Sequence, residues 1–229
     1  MAAQQFYAWS HSRLNMYEEC PARAKYTHLD KLPVPDNPQQ ERGTIIHYGM
    51  EMYLSTPLKE APTFELKHFE PPKMLHKFES FCKELKALDP MVEQEWGFTD
   101  SWKPTGWFGK DTWFRQKGDA VALDGAVGIY VDWKSGKPWG SGEDQAEQTA
   151  IAMLARYGEL QEVQTYFAYL DTGDTIYKEY FREDLAELKR KWVGRANVML
   201  NDTRFSPRQG AHCRRCHFRA SNNGPCVFG

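Results

Sequence analysis

The sequence predicts an α/β fold in which a central mixed β-sheet is flanked by helices. Three observations lead there. Residues Lys117 to Leu123 and Ala126 to Trp133 are strand-like runs on either side of Asp124-Gly125, the signature of a β-hairpin. A second pair, Val163 to Leu170 and Thr175 to Phe181, flanks Asp171-Thr172-Gly173-Asp174 in the same way. Helical patterns precede, separate and follow these hairpins. Hairpins bring antiparallel pairs, so a mixed sheet between helical layers is expected rather than a doubly wound parallel one.

Taken in order, Trp9 to Tyr26 carries apolar and aromatic positions at loosely helical spacing, with a break near Cys20-Pro21, and Lys31 to Pro38 is a proline-rich connector. Glu41 to Leu54 reads as a helix with Thr44 as its N-cap, and Pro57 to Pro72 as a loop. In Lys73 to Leu88 the positions Leu75, Phe78, Cys82 and Leu85 form one apolar stripe, which makes Cys82 a small buried hydrophobe. Val92 to Phe98 alternates as the first strand, with Glu93 and Glu95 on one face. Trp102 to Trp113, rich in Trp and Gly, is expected to form a surface lip whose Trp102, Trp107 and Trp113 either pack inward or stack on unpaired bases. A Gly-rich turn over Gly136 to Gly142 leads into a helix from Glu143 to Tyr157, and Arg182 to Leu200 is a charged amphipathic helix.

With 41% hydrophobic and 26% charged residues in 229, the chain has the composition of one globular domain. The expected layout is a single domain over 1–229, with a core at about 40–200 and end segments at about 9–30 and 205–229. No apolar run approaches the roughly 20 residues needed to span a bilayer, and the N-terminus lacks a signal-peptide core, so a cytoplasmic protein with no membrane partner is expected. The net charge of -2 hides an asymmetry: residues 178–229 hold 11 Lys+Arg against 5 Asp+Glu. That balance argues against nonspecific coating of nucleic acid and permits a local phosphate-binding surface. No Walker-type phosphate loop is present, which removes ATP hydrolysis from consideration.

The chemistry concentrates in the first hairpin. Asp132 lies thirteen positions after Asp119 across the turn, and Lys134 follows two places later. Because strand side chains alternate, Asp132 and Lys134 point one way and Val131 and Trp133 the other. Two carboxylates and an ammonium thus converge, as phosphodiester hydrolysis requires: a hard divalent cation on oxygen ligands activates water and neutralises charge on phosphorus.

Asp119 followed by Asp132-Trp133-Lys134 resembles motifs II and III of the PD-(D/E)XK nuclease superfamily, and Arg42-Gly43-Thr44-Ile45-Ile46-His47 resembles the motif I helix of its RecB-like branch. The resemblance implies a restriction-endonuclease-like core, DNA as substrate, and Mg2+ or Mn2+ held by His47, Asp119 and Asp132. It also implies that Lys134 orients or helps deprotonate the attacking water. An acidic residue on the strand before motif II is expected as well, with Glu95 favoured over Glu93. Gln148 matches a substrate-touching glutamine of related nucleases, although Ala152 stands where their signature has tyrosine.

Of five cysteines, Cys20 lies near the start and Cys213, Cys216 and Cys226 near the end. In a chain read as intracellular, thiolate ligation of a metal explains them better than disulfides, with tetrahedral zinc the compositional default. His212 and His217 could each replace a cysteine at zinc. Cys20-Pro21 with a C-terminal triplet resembles the four-cysteine [4Fe-4S] staple of RecB-like nucleases such as those of CRISPR adaptation and AddB.

The sequence therefore predicts a divalent-metal-dependent deoxyribonuclease, an exonuclease on single strands or duplex ends, with a structural [4Fe-4S] cluster. Its resemblance is to stand-alone phage or prokaryotic enzymes, with a recombination or replication protein as a further expected partner. The alternatives are a non-catalytic DNA-binding or assembly module and a redox-responsive nuclease.

Overall fold

A computed structural model describes residues 5–56 and 72–228. The loop expected over Pro57 to Pro72 lies outside them apart from Pro72. Helices α1 (His11–Glu19), α2 (Pro21–His28), α3 (Pro38–Ser55) and α4 (Glu79–Ala87) come first. Strands β1 (Met91–Phe98), β2 (Pro104–Thr105), β3 (Phe114–Asp124) and β4 (Val127–Lys134) follow, then α5 (Glu143–Arg156), β5 (Glu162–Tyr169), β6 (Asp174–Phe181) and α6 (Leu185–Leu200). The six strands form one sheet in the order β2-β1-β3-β4-β5-β6. Only β4 and β5 pair in parallel, joined through α5, and the other pairs are antiparallel. The expected mixed sheet between helices is what the chain builds.

Local chemistry sets the element ends. Pro21 has no amide hydrogen to donate, so it closes α1 and opens α2 with Cys20 extended between them. Helix α3 starts earlier than its sequence suggests: Asn37, not Thr44, is the N-cap, accepting from Gln39 N–H at 3.1 Å, and Pro38 takes the first helical position. The Thr44 hydroxyl instead donates back to the Gln40 carbonyl at 3.1 Å inside the helix. Gly125 supplies the left-handed residue (φ +57°) that the β3–β4 turn needs.

Two hydrophobic layers cover the sheet. On one face Ile46, Met50 and Leu54 of α3 and Cys82 and Leu85 of α4 pack on Ala120, Ala122, Val131, Trp133 and Ala168. On the other, α5, α6 and α1 pack on Trp96, Phe98, Phe114, Val121, Tyr130 and Phe167. Trp9 anchors that face. Its indole stacks on Trp192 at 6.0 Å, and its backbone pairs with β3 through Trp9 N–H to the Trp113 carbonyl and Arg115 N–H to the Trp9 carbonyl, each 2.9 Å. Each large side chain so buried contributes about 1.5–3 kcal/mol of transfer free energy. Trp102 and Trp113 join this aromatic cluster, packing edge-on to one another at 5.4 Å, and leave the surface role to Trp107.

One irregularity prepares the site. The β1–β3 ladder keeps one register from Met91↔Val121 to Phe98↔Phe114 but skips the facing residues Glu93 and Asp119. Glu93 sits at φ +46°, a sparsely populated conformation for a non-glycine residue. Residues four apart on a regular strand share a face, yet Val92 packs in the α3/α4 layer and Trp96 in the α5/α6 layer. β3 reverses likewise, with Phe114 in the α5/α6 layer and Ala120 in the other. Both strands change sides at the two acidic residues.

Candidate active site

Asp119 stands at that crossing point and lines two cavities. The first lies under α3 and includes His47, Glu93 and Lys117. The second lies toward α1 and α5 and includes His11, Asp132, Lys134 and Gln145. The Asp119 carboxylate is 7% exposed, so its orientation is set by its partners. Oδ2 accepts from the backbone N–H of Trp133 at 2.8 Å, and Oδ1 lies 3.2 Å from His47 Nδ1.

His47, Glu93 and Asp119 each offer one ligand atom, and these atoms lie within 4.8 Å of one another. An imidazole nitrogen with two carboxylate oxygens is a donor set that suits Mn2+ and also Mg2+, whose remaining positions water fills. The residues present therefore fit a divalent cation. Burial alone would lower the His47 pKa, but the Asp119 hydrogen bond and the charges of Asp119, Asp132 and Glu93 outweigh it and raise it above the ordinary imidazole value.

The acidic residue on β1 that joins this group is Glu93, whereas Glu95 was the favoured residue by sequence. Glu95 is exposed and only approaches Lys117, at 4.0 Å, while Glu93 pairs with the same lysine at 3.0 Å from inside the cavity. The physical reason is the break at Glu93, which alternation along an ideal strand does not anticipate. Glu93→Gln is expected to lower DNA cleavage about 100-fold and Glu95→Gln less than about threefold, and initial rates of the two proteins decide it. A larger loss for Glu95→Gln would reverse the assignment.

On the other side of Asp119, Asp132 is 6% exposed and holds two partners. Lys134 Nζ lies 2.6 Å from its Oδ2, and Gln145 Nε2 donates to its Oδ1 at 2.8 Å. Lys134 Nζ also donates to Gln145 Oε1 at 3.2 Å, closing a three-residue ring. Asp132 is thus tied to Lys134 and is not one of the two carboxylates, Glu93 and Asp119, that converge with His47. Burial raises the Asp132 pKa first of all, countered by Lys134 and reinforced by Asp119. Burial works against the Lys134 ammonium, but Asp132 and Asp119 overcome this and raise its pKa. Lys134 is therefore a cation at neutral pH, suited to donate hydrogen bonds rather than to remove a proton.

Gln148 is fully buried, does not line the cavity and meets the ring of His11 at 3.1 Å. The glutamine at the carboxylates is Gln145, one turn earlier on α5. Sequence reading missed it because the resemblance pointed three residues downstream; its spacing of three from Gln148 on one helix face was the available signal. His11 was missed as a site residue as well. Burial foremost, with Lys134 nearby, holds its pKa down at about 4, so the ring is neutral at pH 7. Arg42, in the segment resembling motif I, fixes α3 to the β5–β6 turn through two 2.6 Å bonds to Asp171, whose second oxygen also accepts Gly136 N–H at 2.8 Å.

At the chain ends Cys20, Cys213, Cys216 and Cys226 line one small cavity, walled also by Tyr26, Phe218 and the side chains of Arg23, Arg208 and Arg219. Sulfurs around one zinc stand about 3.8 Å apart for Zn–S bonds of about 2.3 Å. Among the described residues no three cysteine sulfurs come within 4.8 Å of one another. Cys82 lies apart, inside the α3/α4 layer as its spacing predicts. No described helix is long and apolar enough to cross a membrane.

The sequence profile of the PD-(D/E)XK nuclease superfamily matches residues 8–221. Among solved structures the chain is similar to a candidate exonuclease from Eubacterium rectale, with 12% identity, TM-score 0.51, and coverage of 97% of this chain and 90% of that one. It is also similar to the protein SSO0001, with 16% identity, TM-score 0.48, and coverage of 99% and 90%. Curated protein sequences give no match. With the profile spanning nearly all of its length, this chain belongs to the PD-(D/E)XK nuclease superfamily.

Proposed function

We propose that the protein is a divalent-metal-dependent deoxyribonuclease, acting as an exonuclease on single strands or duplex ends. One domain over 1–229 would carry both the site and a [4Fe-4S] cluster on Cys20, Cys213, Cys216 and Cys226, as in the RecB-like branch. The observation that carries the reading is the pair of groups meeting at Asp119: His47 and Glu93 on one side, Asp132 and Lys134 on the other. Superfamily members are nucleases, and the intact acidic residues and lysine speak for an active one.

His47, Glu93 and Asp119 would hold the cation, with Asp132 beside them as a further carboxylate. Bound there, Mg2+ or Mn2+ would activate water and neutralise the charge that builds up on the phosphodiester. Trp133 N–H fixes the Asp119 carboxylate and leaves its other oxygen toward His47. Lys134, protonated and braced by Asp132 and Gln145, donates to the attacking water or a phosphate oxygen. Gln145 holds both partners in place, and neutral His11 adds no positive charge at the α1 wall.

Four thiols on one cavity give the segments that carry them a common anchor, and it is this shared lining together with the four-cysteine resemblance that supports a metal group there. Incubation with DNA in Mg2+ or Mn2+ against EDTA tests the catalytic reading. Substrate loss that needs the metal supports it. Cleavage unaffected by EDTA, or none by the folded protein, would leave the non-catalytic module as the better account.

A further inference from the structure

Beside the acidic cavity Trp107 and Phe108 of the β2–β3 connection and Tyr7 of the segment before α1 set three aromatic rings around one guanidinium. Arg115 lies 5.2 Å from the ring centre of Tyr7, 5.5 Å from Trp107 and 5.4 Å from Phe108, and its Nη2 donates to the Tyr7 hydroxyl at 2.8 Å. Phe108 is 83% exposed and Tyr7 65%, although large rings are normally buried and this chain buries most of its tryptophans. The loop that carries Trp107 and Phe108 is braced. Thr112 Oγ1 donates to the Gly106 carbonyl at 2.7 Å, Thr105 Oγ1 to Asp111 at 2.9 Å, and Gly109 N–H to the Gly106 carbonyl at 3.0 Å. Phe108 is therefore held in solvent by a hydrogen-bonded turn, and Tyr7 is held by its bond to Arg115.

The position of this lip matters. Trp107 and Arg115 line the same cavity as Lys117, Asp119, Asp132 and Lys134. A polynucleotide with a phosphate at the carboxylates would continue past cationic side chains onto the aromatic faces within the next nucleotides. Base faces inside a duplex are stacked on one another, so along a strand it is unpaired bases that offer their faces to a protein ring. Arginine supplies charge for phosphate and polarises the rings it touches.

We propose that Tyr7, Trp107, Phe108 and Arg115 form a base-stacking site that selects an unpaired strand next to the nuclease centre. This rests on the nuclease reading for its consequence in cleavage, but binding reads it independently. Fluorescence anisotropy would compare a labelled dT12 strand with an abasic strand of the same length and charge, on the Asp132→Ala protein with and without Trp107→Ala/Phe108→Ala. dT12 is expected to bind at least about tenfold more tightly than the abasic strand, and the double substitution to bring it to the abasic level. Equal affinity for the two strands, equal losses on both, or no binding to either would overturn the site. The last result would also leave the exposed rings as a protein-docking surface. Phe108→Ser alone, at a position outside the core, guards against a folding defect and should lower dT12 binding while sparing the abasic strand. Metal-dependent cleavage by the wild-type protein, scored alongside, keeps the outcomes separate. Cleavage without base preference removes the stacking site only, and base-dependent binding without cleavage removes the nuclease reading only.

Discussion

Asp132→Ala and Lys134→Ala proteins are each expected to lose at least about a thousandfold in DNA cleavage, ~4 kcal/mol of transition-state stabilisation, while retaining the fold. The two side chains are one unit, since Lys134 Nζ lies 2.6 Å from Asp132 and both bond Gln145. Removing either one takes away the other's ion-pair partner and one of the two bonds Gln145 makes here, so the losses should not add in the double variant. Their effects on stability should differ in size. Deleting Asp132 removes a carboxylate whose ionised form is opposed by burial and by Asp119 but also strips Lys134 of its ion-pair partner, so the two effects offset and the melting temperature should change little. Deleting Lys134 leaves Asp119 and Asp132 facing one another without the ammonium, so melting should fall modestly. Cleavage rates and melting curves on the same preparations check both halves. An Asp132→Ala protein that cleaves normally would sink the site.

Cys216→Ala is expected to lower soluble yield, abolish bound iron and the colour that accompanies it, and destabilise the chain by more than about 3 kcal/mol. Cys216 is 9% exposed in the shared cavity, where the terminal segment meets the N-terminal helices. The other ties between them include Tyr17 Oη to Asp202 at 2.9 Å, contacts from Arg208 to Glu18 and Cys20, and edge-on ring contacts of Phe205 with Tyr17 and of Phe218 with Tyr26. A metal group joining four thiols would dominate them. Cys82→Ala is the control: burial pushes its thiol pKa up to about 12, and it packs between helices, so metal content should not change. Elemental analysis separates the outcomes. Iron lost with Cys216 and kept with Cys82 supports the cluster, zinc in place of iron corrects its identity, and no metal in either protein contradicts it.

Much of this was legible in the residues. The β3–β4 hairpin announced itself through Asp124-Gly125, and strand alternation put Val131 and Trp133 in one layer and Asp132 with Lys134 in the other, as the structure has them. The cap of α3 was misread because Asn37-Pro38 lies in a proline-rich stretch that looks like a connector. Glu93 was ranked below Glu95 because its role depends on a left-handed residue within β1, a strain that only the surrounding packing can impose. Gln145 and His11 reach the site through the docking of α5 and α1 on the sheet, a long-range arrangement that no local pattern encodes. Trp102 and Trp113 differ from Trp107 only in how the chain folds back at Trp9, and that contact too is non-local.

The most direct test is cleavage of end-labelled single- and double-stranded DNA by anaerobically purified protein in Mg2+, Mn2+ or EDTA, beside the Asp132→Ala protein. The account predicts a ladder of shortened products from the single strand, or from duplex ends, that needs both the metal and Asp132. An uncut substrate with folded, metal-loaded protein, or an identical ladder from Asp132→Ala, would contradict it.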